Sequence, residues 1–337
     1  MKVGVTGIGS WPGEDFAAAQ RLLFGELGDA PDVPHMAELP SRGIGSDMIG
    51  RAAALIDEFG LDLQPAGWRV TDAAGIDHRR AKARWREDLD LLEETAQGYA
   101  GAFKLAVTGP WTLAAMIERP RGDRMLADHG ARRDLAGALA EGIAATLAEL
   151  QRRLPDLSLT LQLDEPLLPR VGAGRIRTAS GFSRFRSVEL PELSGTLTSV
   201  VETARSAYEG TLTTALHCCA AGLDPELVLR AGFDAVSLPG EFLDTDTLDR
   251  LGPGIEAGHA LWLGIAPTHV LDQPLRPDRL AERALAILRP LELGSAWAGR
   301  LVLTPACGLA GWTQRPAVAV LRNLREAAAI VGDELAR

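Results

Sequence analysis

Short apolar runs alternate with longer amphipathic segments along the whole 337-residue chain. Runs rich in aliphatic and β-branched residues predict strands, and apolar residues that recur with a helical period predict helices. The predicted strands are 3–8, 63–70, 104–108, 157–163, 212–217, 233–238, 260–265 and 301–304. The clearest predicted helices are 79–97, 132–154, 190–208, 277–288 and 316–331. Strands that alternate with helices indicate a parallel sheet with right-handed crossovers.

Eight such units predict the α/β class and a single (β/α)8 TIM barrel that spans residues 1–337. An open doubly wound sheet is the alternative, but Trp11 and Pro12 follow Gly7 and Gly9 and break the glycine-rich phosphate fingerprint. The first two predicted strands are too far apart for one connecting helix. We therefore expect an insertion after the first strand, with extra helices or a lid over residues 14–51.

Composition narrows the classes of partner and compartment. The chain has 35 basic and 45 acidic residues and a formal net charge of −10, which argues against nucleic acid and anionic membranes as partners. With 46% hydrophobic and 24% charged residues it is not disordered by composition. No long apolar span or signal peptide is evident, so we expect a cytoplasmic protein. Its three cysteines are then free thiols.

Function in a barrel lies at the carboxyl ends of the strands. His217 and Cys219 end the fifth predicted strand two residues apart, so their side chains share a face and Cys218 points away. Cys307 follows the eighth strand, and one imidazole with two thiolates suits Zn²⁺, with Glu241 as a possible fourth ligand. The alternative is that these are ordinary buried cysteines beside a core histidine.

Five motifs occur in order and resemble the C-terminal catalytic barrel of the cobalamin-independent methionine synthase family. They are GIGSWP at 7–12, TGP at 108–110, LQLDEP at 161–166, HCC at 217–219 and PACGL at 305–309. The resemblance implies a zinc-dependent transfer of a methyl group to the thiol of homocysteine, which makes methionine. The donor it implies is methyltetrahydrofolate or a methyl-corrinoid, the latter also as part of a corrinoid protein.

The resemblance also implies roles for individual residues. His217, Cys219 and Cys307 match the family's zinc ligands. Glu241 lies 24 residues after His217, the spacing of the family's glutamate ligand, although Pro239 and Gly240 intervene here.

The resemblance implies further roles in substrate binding and proton transfer. Ile8 and Ser10 match the loop that holds homocysteine, and Asp164 matches the aspartate that binds its ammonium group. His269 matches a histidine suited to proton relay. Without the resemblance, Asp164 is equally well explained as a cap for its loop, and His269 as a solvated loop residue.

Two departures from the family pattern leave the substrates open. Gly50 stands where the family has a glutamate for the substrate amino group, so either Glu38 or Asp47 replaces it or the acceptor is another thiol. The sequence also shows no separate N-terminal barrel, which in long members helps to bind polyglutamylated folate.

Two other functions fit a barrel of this kind. One is a uroporphyrinogen-decarboxylase-like enzyme that acts on a tetrapyrrole without metal and leaves His217, Cys219 and Cys307 unused. The other is a non-catalytic corrinoid- or thiol-binding protein. Metal content separates the methyltransferase from the first, and turnover separates it from the second.

Overall fold

Seven parallel strands form one curled sheet in a computed structural model that describes residues 2–269, 273–291 and 294–337. In chain order the strands are β1 (Gly4–Val5), β2 (Gly60–Gln64), β3 (Gly67–Thr71), β4 (Gly101–Thr108), β5 (Leu157–Asp164), β6 (Thr213–His217), β7 (Ala235–Pro239), β8 (Ala260–Ala266) and β9 (Leu301–Pro305). The parallel sheet has the order β1-β9-β8-β7-β6-β5-β4, and β2 and β3 form a separate antiparallel pair.

Helices connect these strands. They are α1 (Phe16–Leu27), α2 (Met48–Ala54), α3 (Ile76–Thr95), α4 (Pro110–Met116), α5 (His129–Arg153), α6 (Leu168–Gly172), α7 (Leu190–Ala207), α8 (Pro225–Arg230), α9 (Thr245–Ala257), α10 (Pro277–Leu288) and α11 (Gln314–Leu335). Asp15, Asp128 and Asp244 begin α1, α5 and α9 by accepting a hydrogen bond from the backbone three residues on. The alternation of strand and helix confirms the predicted α/β class and (β/α)8-like barrel.

The predicted second barrel strand at 63–70 is wrong. These residues belong to the β2–β3 hairpin, whose turn lies between Gln64 and Gly67, and Gly67 begins β3 with φ at +124°. The barrel position between β1 and β4 is instead filled by residues 33–36. Val33 N donates to Val5 O at 2.9 Å on one side, and Lys104 N donates to Pro34 O at 2.9 Å on the other. This short segment supplies the eighth position of the ring.

The insertion predicted after the first strand is present, but it begins after residues 33–36, the segment that completes the ring. Helix α1 is the ordinary connection from β1 to residues 33–36, and α2, the hairpin and α3 then precede β4. Thr108 Oγ1 donates to Met48 O at 2.7 Å and so ties the start of α2 to the carboxyl end of β4. The insertion therefore reaches the mouth of the barrel.

Leu105, Leu161 and Leu303 are among the strand residues that are fully buried. Lys104 on β4 and Gln162 on β5 are also fully buried, so the barrel interior holds a charge and an amide.

Among the helices of the described residues, none combines the length and apolar character needed to cross a membrane.

Candidate functional site

A cavity of about 260 Å³ opens at the carboxyl ends of the strands. Its lining residues are Ile8, Ser10, Glu38, Pro40, Ser46, Asp47, Met48, Asp164, Pro166, His217, Cys219, Cys307 and Gly308. Six of the eight predicted site residues therefore lie around one cavity, namely Ile8, Ser10, Asp164, His217, Cys219 and Cys307, together with both substitutes considered for the family glutamate, Glu38 and Asp47. Asp164 and His217 are direct neighbours, because β5 and β6 pair in parallel with these two residues in register.

His217, Cys219 and Cys307 form a group whose ligating atoms all lie within 4.8 Å of one another. His217 Nδ1 is 3.0 Å from Ser237 Oγ, and its Nε2 is buried without a hydrogen-bond partner in the described part of the chain. A buried ring nitrogen left without a partner is costly, so its presence beside two thiols calls for an explanation. The donor set of one imidazole and two sulfurs fits Zn²⁺.

The two thiols of this group are electrostatically unequal. A hydrogen bond from Cys219, assisted by the nearby His217 ring, lowers the pKa of Cys307 to about 4. The same hydrogen bond, together with burial, raises the pKa of Cys219. Cys307 is therefore the more readily ionised of the two thiols, and metal binding would release the Cys219 proton.

Cys218 is separate from this pair. It is fully buried, its thiol lies 3.6 Å from Ala220 O, and burial raises its pKa to about 12. This placement follows from the alternation of side chains at the end of β6.

Glu241 and His269 lie outside the cavity. Strand β7 ends at Pro239 and a 3₁₀ turn, Gly240–Phe242, follows at once and leaves Glu241 exposed. The structure therefore does not bring Glu241 into the group of His217, Cys219 and Cys307. His269 is exposed in the connection after β8 and is not among the lining residues.

Backbone pairing fixes the loop after β1. Trp11 N donates to Glu38 O at 2.8 Å, Glu38 N donates to Gly9 O at 3.2 Å, and Leu309 N donates to Ser10 O at 2.9 Å. A Cβ on Gly308 would lie 1.8 Å from Ser10 Oγ, so only glycine allows this approach. The pairing places Ser10 between Glu38 and the segment that carries Cys307.

Two buried carboxylates, Asp164 and Glu38, face the same cavity and are 8% and 7% exposed. Burial raises the pKa of both, and the Glu38 charge raises that of Asp164 further. Arg51 Nε lies 3.6 Å from Glu38 Oε1 and partly offsets the burial of that carboxyl group.

Gly50 cannot be replaced by a larger residue without a change in the backbone. A Cβ there would lie 2.2 Å from Ile44 O, and the Gly50 N–H donates to Asp47 Oδ1 at 2.7 Å. Asp47 thereby caps α2. Of the two substitutes considered from the sequence, Glu38 is the carboxylate that is not used as a helix cap.

Sequence reasoning missed Lys104 and Gln162, which lie directly beneath the cavity. Lys104 Nζ donates to Gln162 Oε1 at 2.6 Å and to Ile8 O at 3.0 Å, and it also bonds Gly7 O. Gln162 Nε2 in turn donates to Ile8 O at 2.9 Å and to Asp164 Oδ1 at 2.8 Å. The signal in the sequence was one lysine within an otherwise apolar strand.

Lys104 is a cation with very little solvent around it. Its Nζ lies 5.3 Å from the centre of the Trp262 ring. Burial lowers the pKa of Lys104 to about 7, although the Asp164 and Glu38 charges act in the opposite direction. Through Gln162 it fixes both the Ile8 carbonyl and the Asp164 carboxylate.

Glu165, next to Asp164, supports the loop instead of facing the cavity. Its carboxylate accepts hydrogen bonds from Trp111 N, Thr112 N and Thr112 Oγ1 at 2.7–2.8 Å. Burial raises its pKa to about 7. In the LDEP motif, Asp164 thus lines the cavity, and Glu165 accepts hydrogen bonds from the start of α4.

A solved structure with a similar fold is that of a B12-independent methionine synthase from Shewanella sp. W3-18-1 in complex with selenomethionine. The alignment has a TM-score of 0.65 and 15% sequence identity and covers 99% of this chain and 98% of that chain. A glycoside hydrolase, GH5_18 from Streptomyces cattleya, aligns with a TM-score of only 0.45 and 12% identity. No protein-family profile and no curated protein sequence matches the chain. The likeness to the methionine synthase shows that the two chains share a fold.

Proposed function

We propose that this protein is a zinc-dependent methyltransferase that transfers a methyl group from methyltetrahydrofolate or a methyl-corrinoid to the thiol of homocysteine. The observation that carries the proposal is the unpartnered His217 Nε2, which is buried beside Cys219 and Cys307 in a cavity that also holds two carboxylates. The shared fold with a methionine synthase supports the same reaction class.

The metal would be held by His217, Cys219 and Cys307. When bound, zinc would favour the deprotonated form of an acceptor thiol, which is the nucleophilic form. Ser237 fixes the His217 ring through Nδ1 and thereby directs Nε2 to the group. Glu241 is not needed to explain these three donors, and its predicted role as a fourth ligand stays a prediction.

The remaining lining residues fit the amino-acid part of homocysteine. A cavity of about 260 Å³ lies just below the usual range of small-molecule pockets, roughly 300–1,000 Å³, and so suits a small substrate. Asp164 and Glu38 are two buried carboxyl groups, and a substrate ammonium group placed between them would favour their ionised forms, which burial opposes. Ile8 O already accepts bonds from Lys104 and Gln162, so Ile8 acts as a fixed wall, while Ser10 lines the same cavity and brings a hydroxyl group to it.

The transfer itself breaks one bond and forms one. The acceptor thiol loses its proton, its sulfur forms a bond to the methyl carbon, and the bond between that carbon and the donor nitrogen or cobalt breaks. The electron pair of the broken bond leaves with the donor. His269, which is exposed after β8, remains the predicted proton relay for this exchange.

Zinc content and methyl transfer, measured on the same preparations, test the proposal. We expect about one zinc per native chain, and loss of both zinc and transfer in Cys307→Ala, because one thiolate ligand is removed. Cys218→Ala is the matched control, since this neighbouring thiol points away from the cavity, and it should keep both. Transfer is assayed with homocysteine and each of the two donors.

Each other result has a defined meaning. A native protein without stoichiometric zinc, even after zinc is offered under reducing conditions, would refute the proposal. Zinc binding without transfer from either donor would favour a thiol-binding protein over an enzyme. Full zinc in Cys307→Ala would remove Cys307 from the ligand set.

A further inference from the structure

The connection from β5 to α7 is strongly positive in a protein that is negative overall. Between Glu165 and Glu189 the chain has five arginines and no acidic residue, against a net charge of −10 for the whole. The five are Arg170, Arg175, Arg177, Arg184 and Arg186, and all are exposed. None of them forms an ion pair within residues 2–269, 273–291 and 294–337, although flanking arginines such as Arg132 and Arg205 do.

Residues 174–187, the arginine hairpin, form an ordered projection. Phe185 N donates to Ile176 O at 2.9 Å, Thr178 N donates to Ser183 O at 3.0 Å, and Arg177 and Arg184 pair in antiparallel fashion. Ile176 is 3% exposed and anchors the base in the core. The hairpin is therefore held in place at its base and free along its arginine-bearing sides.

The tip of the arginine hairpin carries an aromatic ring in solvent. Phe182 is 96% exposed, the highest value among the exposed large hydrophobic residues of the described chain. Near it, Ala179 N donates to Asp123 Oδ1 at 3.0 Å and joins the hairpin to the loop after α4. Exposed aromatic rings among arginines are characteristic of the residues that contribute most to protein interfaces.

The hairpin lies on the same face of the barrel as the cavity. The connection that carries it begins at Pro166, which lines the cavity directly after β5. The cavity has room for a small acceptor only, so a larger donor must approach over the loops around the mouth. A partner that docks on the hairpin would stand beside this approach.

We propose that the arginine hairpin is the docking surface for an acidic protein. Guanidinium groups pair with carboxylates in bidentate fashion, and four exposed arginines on one hairpin match a row of aspartates or glutamates. The net charge of −10 disfavours a nucleic acid, because repulsion of phosphates acts over the rest of the surface. That the docked protein brings the methyl donor rests on the proposed function; the docking itself does not.

The test uses the full chain and two labelled peptides, with binding followed by fluorescence anisotropy at low and physiological salt. One peptide is an oligoglutamate of about ten residues, and the other has the same charge with leucines between the glutamates. We expect the double variant Arg177→Ala and Arg184→Ala to bind both peptides about tenfold more weakly than the native protein. The matched control, Arg79→Ala with Arg80→Ala on α3, also removes two exposed arginines and should bind as the native protein does.

Phe182→Ser tests whether the surface recognises a protein or only negative charge. The native protein should bind the leucine-containing peptide more tightly, and Phe182→Ser should lose this difference while it still binds oligoglutamate. Equal binding of the two peptides by the native protein would overturn the assignment to a protein partner. So would tighter binding of a single-stranded RNA of equal charge.

Equal loss of binding in the hairpin variant and in the α3 control would also overturn the inference, because the peptides would then sense only total charge. These measurements need neither zinc nor a methyl donor, so they fail independently of the proposed function. Peptide binding without methyl transfer would support the docking surface and refute the proposed methyltransferase function. Methyl transfer without peptide binding would refute the docking surface and support the proposed methyltransferase function.

Discussion

The two ends of the barrel each carry a cavity, and the larger one is not the candidate site. The groove at the amino-terminal end of the strands has a volume of about 790 Å³, against about 260 Å³ at the mouth. Its lining includes Lys2, Glu26, Asp29, Asp32, Arg322 and Arg325. There Arg322 Nε bonds Glu26 at 2.9 Å and Arg325 Nε bonds Asp32 at 2.7 Å. Both arginines of the groove are thus paired with carboxylates.

At the mouth the polar groups are at least as buried as Asp32, which is 8% exposed in the groove, and they are less fully paired. Lys104 is fully buried, Asp164 and Glu38 are nearly so, and His217 Nε2 has no partner among the described residues. Water screens charges in an open groove, whereas buried charges interact strongly and shift one another's pKa. Desolvation and unmet bonding capacity, rather than volume, therefore distinguish the candidate site from the groove.

The largest expected effect is that of Lys104→Met. Loss of the buried lysine would remove the cation closest to Asp164 and leave only Arg51 to offset Glu38, so we expect the free energy of unfolding to fall by about 3–5 kcal/mol. We also expect homocysteine affinity to fall about tenfold or more, since the Ile8 carbonyl and Gln162 lose their anchor. Urea unfolding and calorimetric titration measure the two effects.

Arg325→Met in the groove is the matched control for Lys104→Met. This arginine is 36% exposed in its side chain and pairs with Asp32 in the groove, so its loss should leave homocysteine affinity unchanged. If both variants weaken homocysteine binding equally, the contrast between the two cavities is lost.

The pH dependence of stability should depend on Glu165. Burial raises its pKa from 4.5 to about 7, so the folded state holds its proton over a range in which the unfolded state releases it. The stability that this proton contributes is present below about pH 4.5 and is lost as the pH rises through about 7. Glu165→Gln should remove up to about 3 kcal/mol of this dependence. Unfolding free energies of both proteins at a series of pH values measure it, and parallel curves would argue against a protonated Glu165.

Asp164→Asn should mainly weaken acceptor binding. The carboxylate would lose its charge towards the substrate ammonium group, and we expect the KM for homocysteine to rise about tenfold with a smaller change in kcat. Asp32→Asn in the groove is the control and should leave KM unchanged. An unaltered KM in Asp164→Asn would show that this carboxylate serves the loop and not the substrate.

The smallest effect should come from Arg322→Ala. This side chain is 63% exposed, so solvent reaches its pair with Glu26 from the arginine side, although the Glu26 side chain is 14% exposed. Exposed ion pairs contribute little, so we expect neither the urea midpoint nor methyl transfer to change measurably. A clear loss of transfer would give the groove a function that its paired charges do not indicate.

The sequence by itself determined the fold class and half of the candidate site. Strand and helix periods are local, so β4 to β9 were predicted within a few residues of their observed bounds. In parallel strands of a barrel, the carboxyl ends meet at one face, so position alone placed Asp164, His217, Cys219 and Cys307 together.

Only the tertiary structure decided the rest. Residues 33–36 are too few to show a strand period and include Pro34, and their place in the ring depends on bonds to β1 and β4. Glu38 reaches the cavity because its backbone pairs with the loop after β1, and Glu241 stays outside because a turn follows Pro239 directly. Lys104 acquires its role only where Gln162 and the Ile8 carbonyl surround it. These contacts join residues far apart in the chain, and no local pattern encodes them.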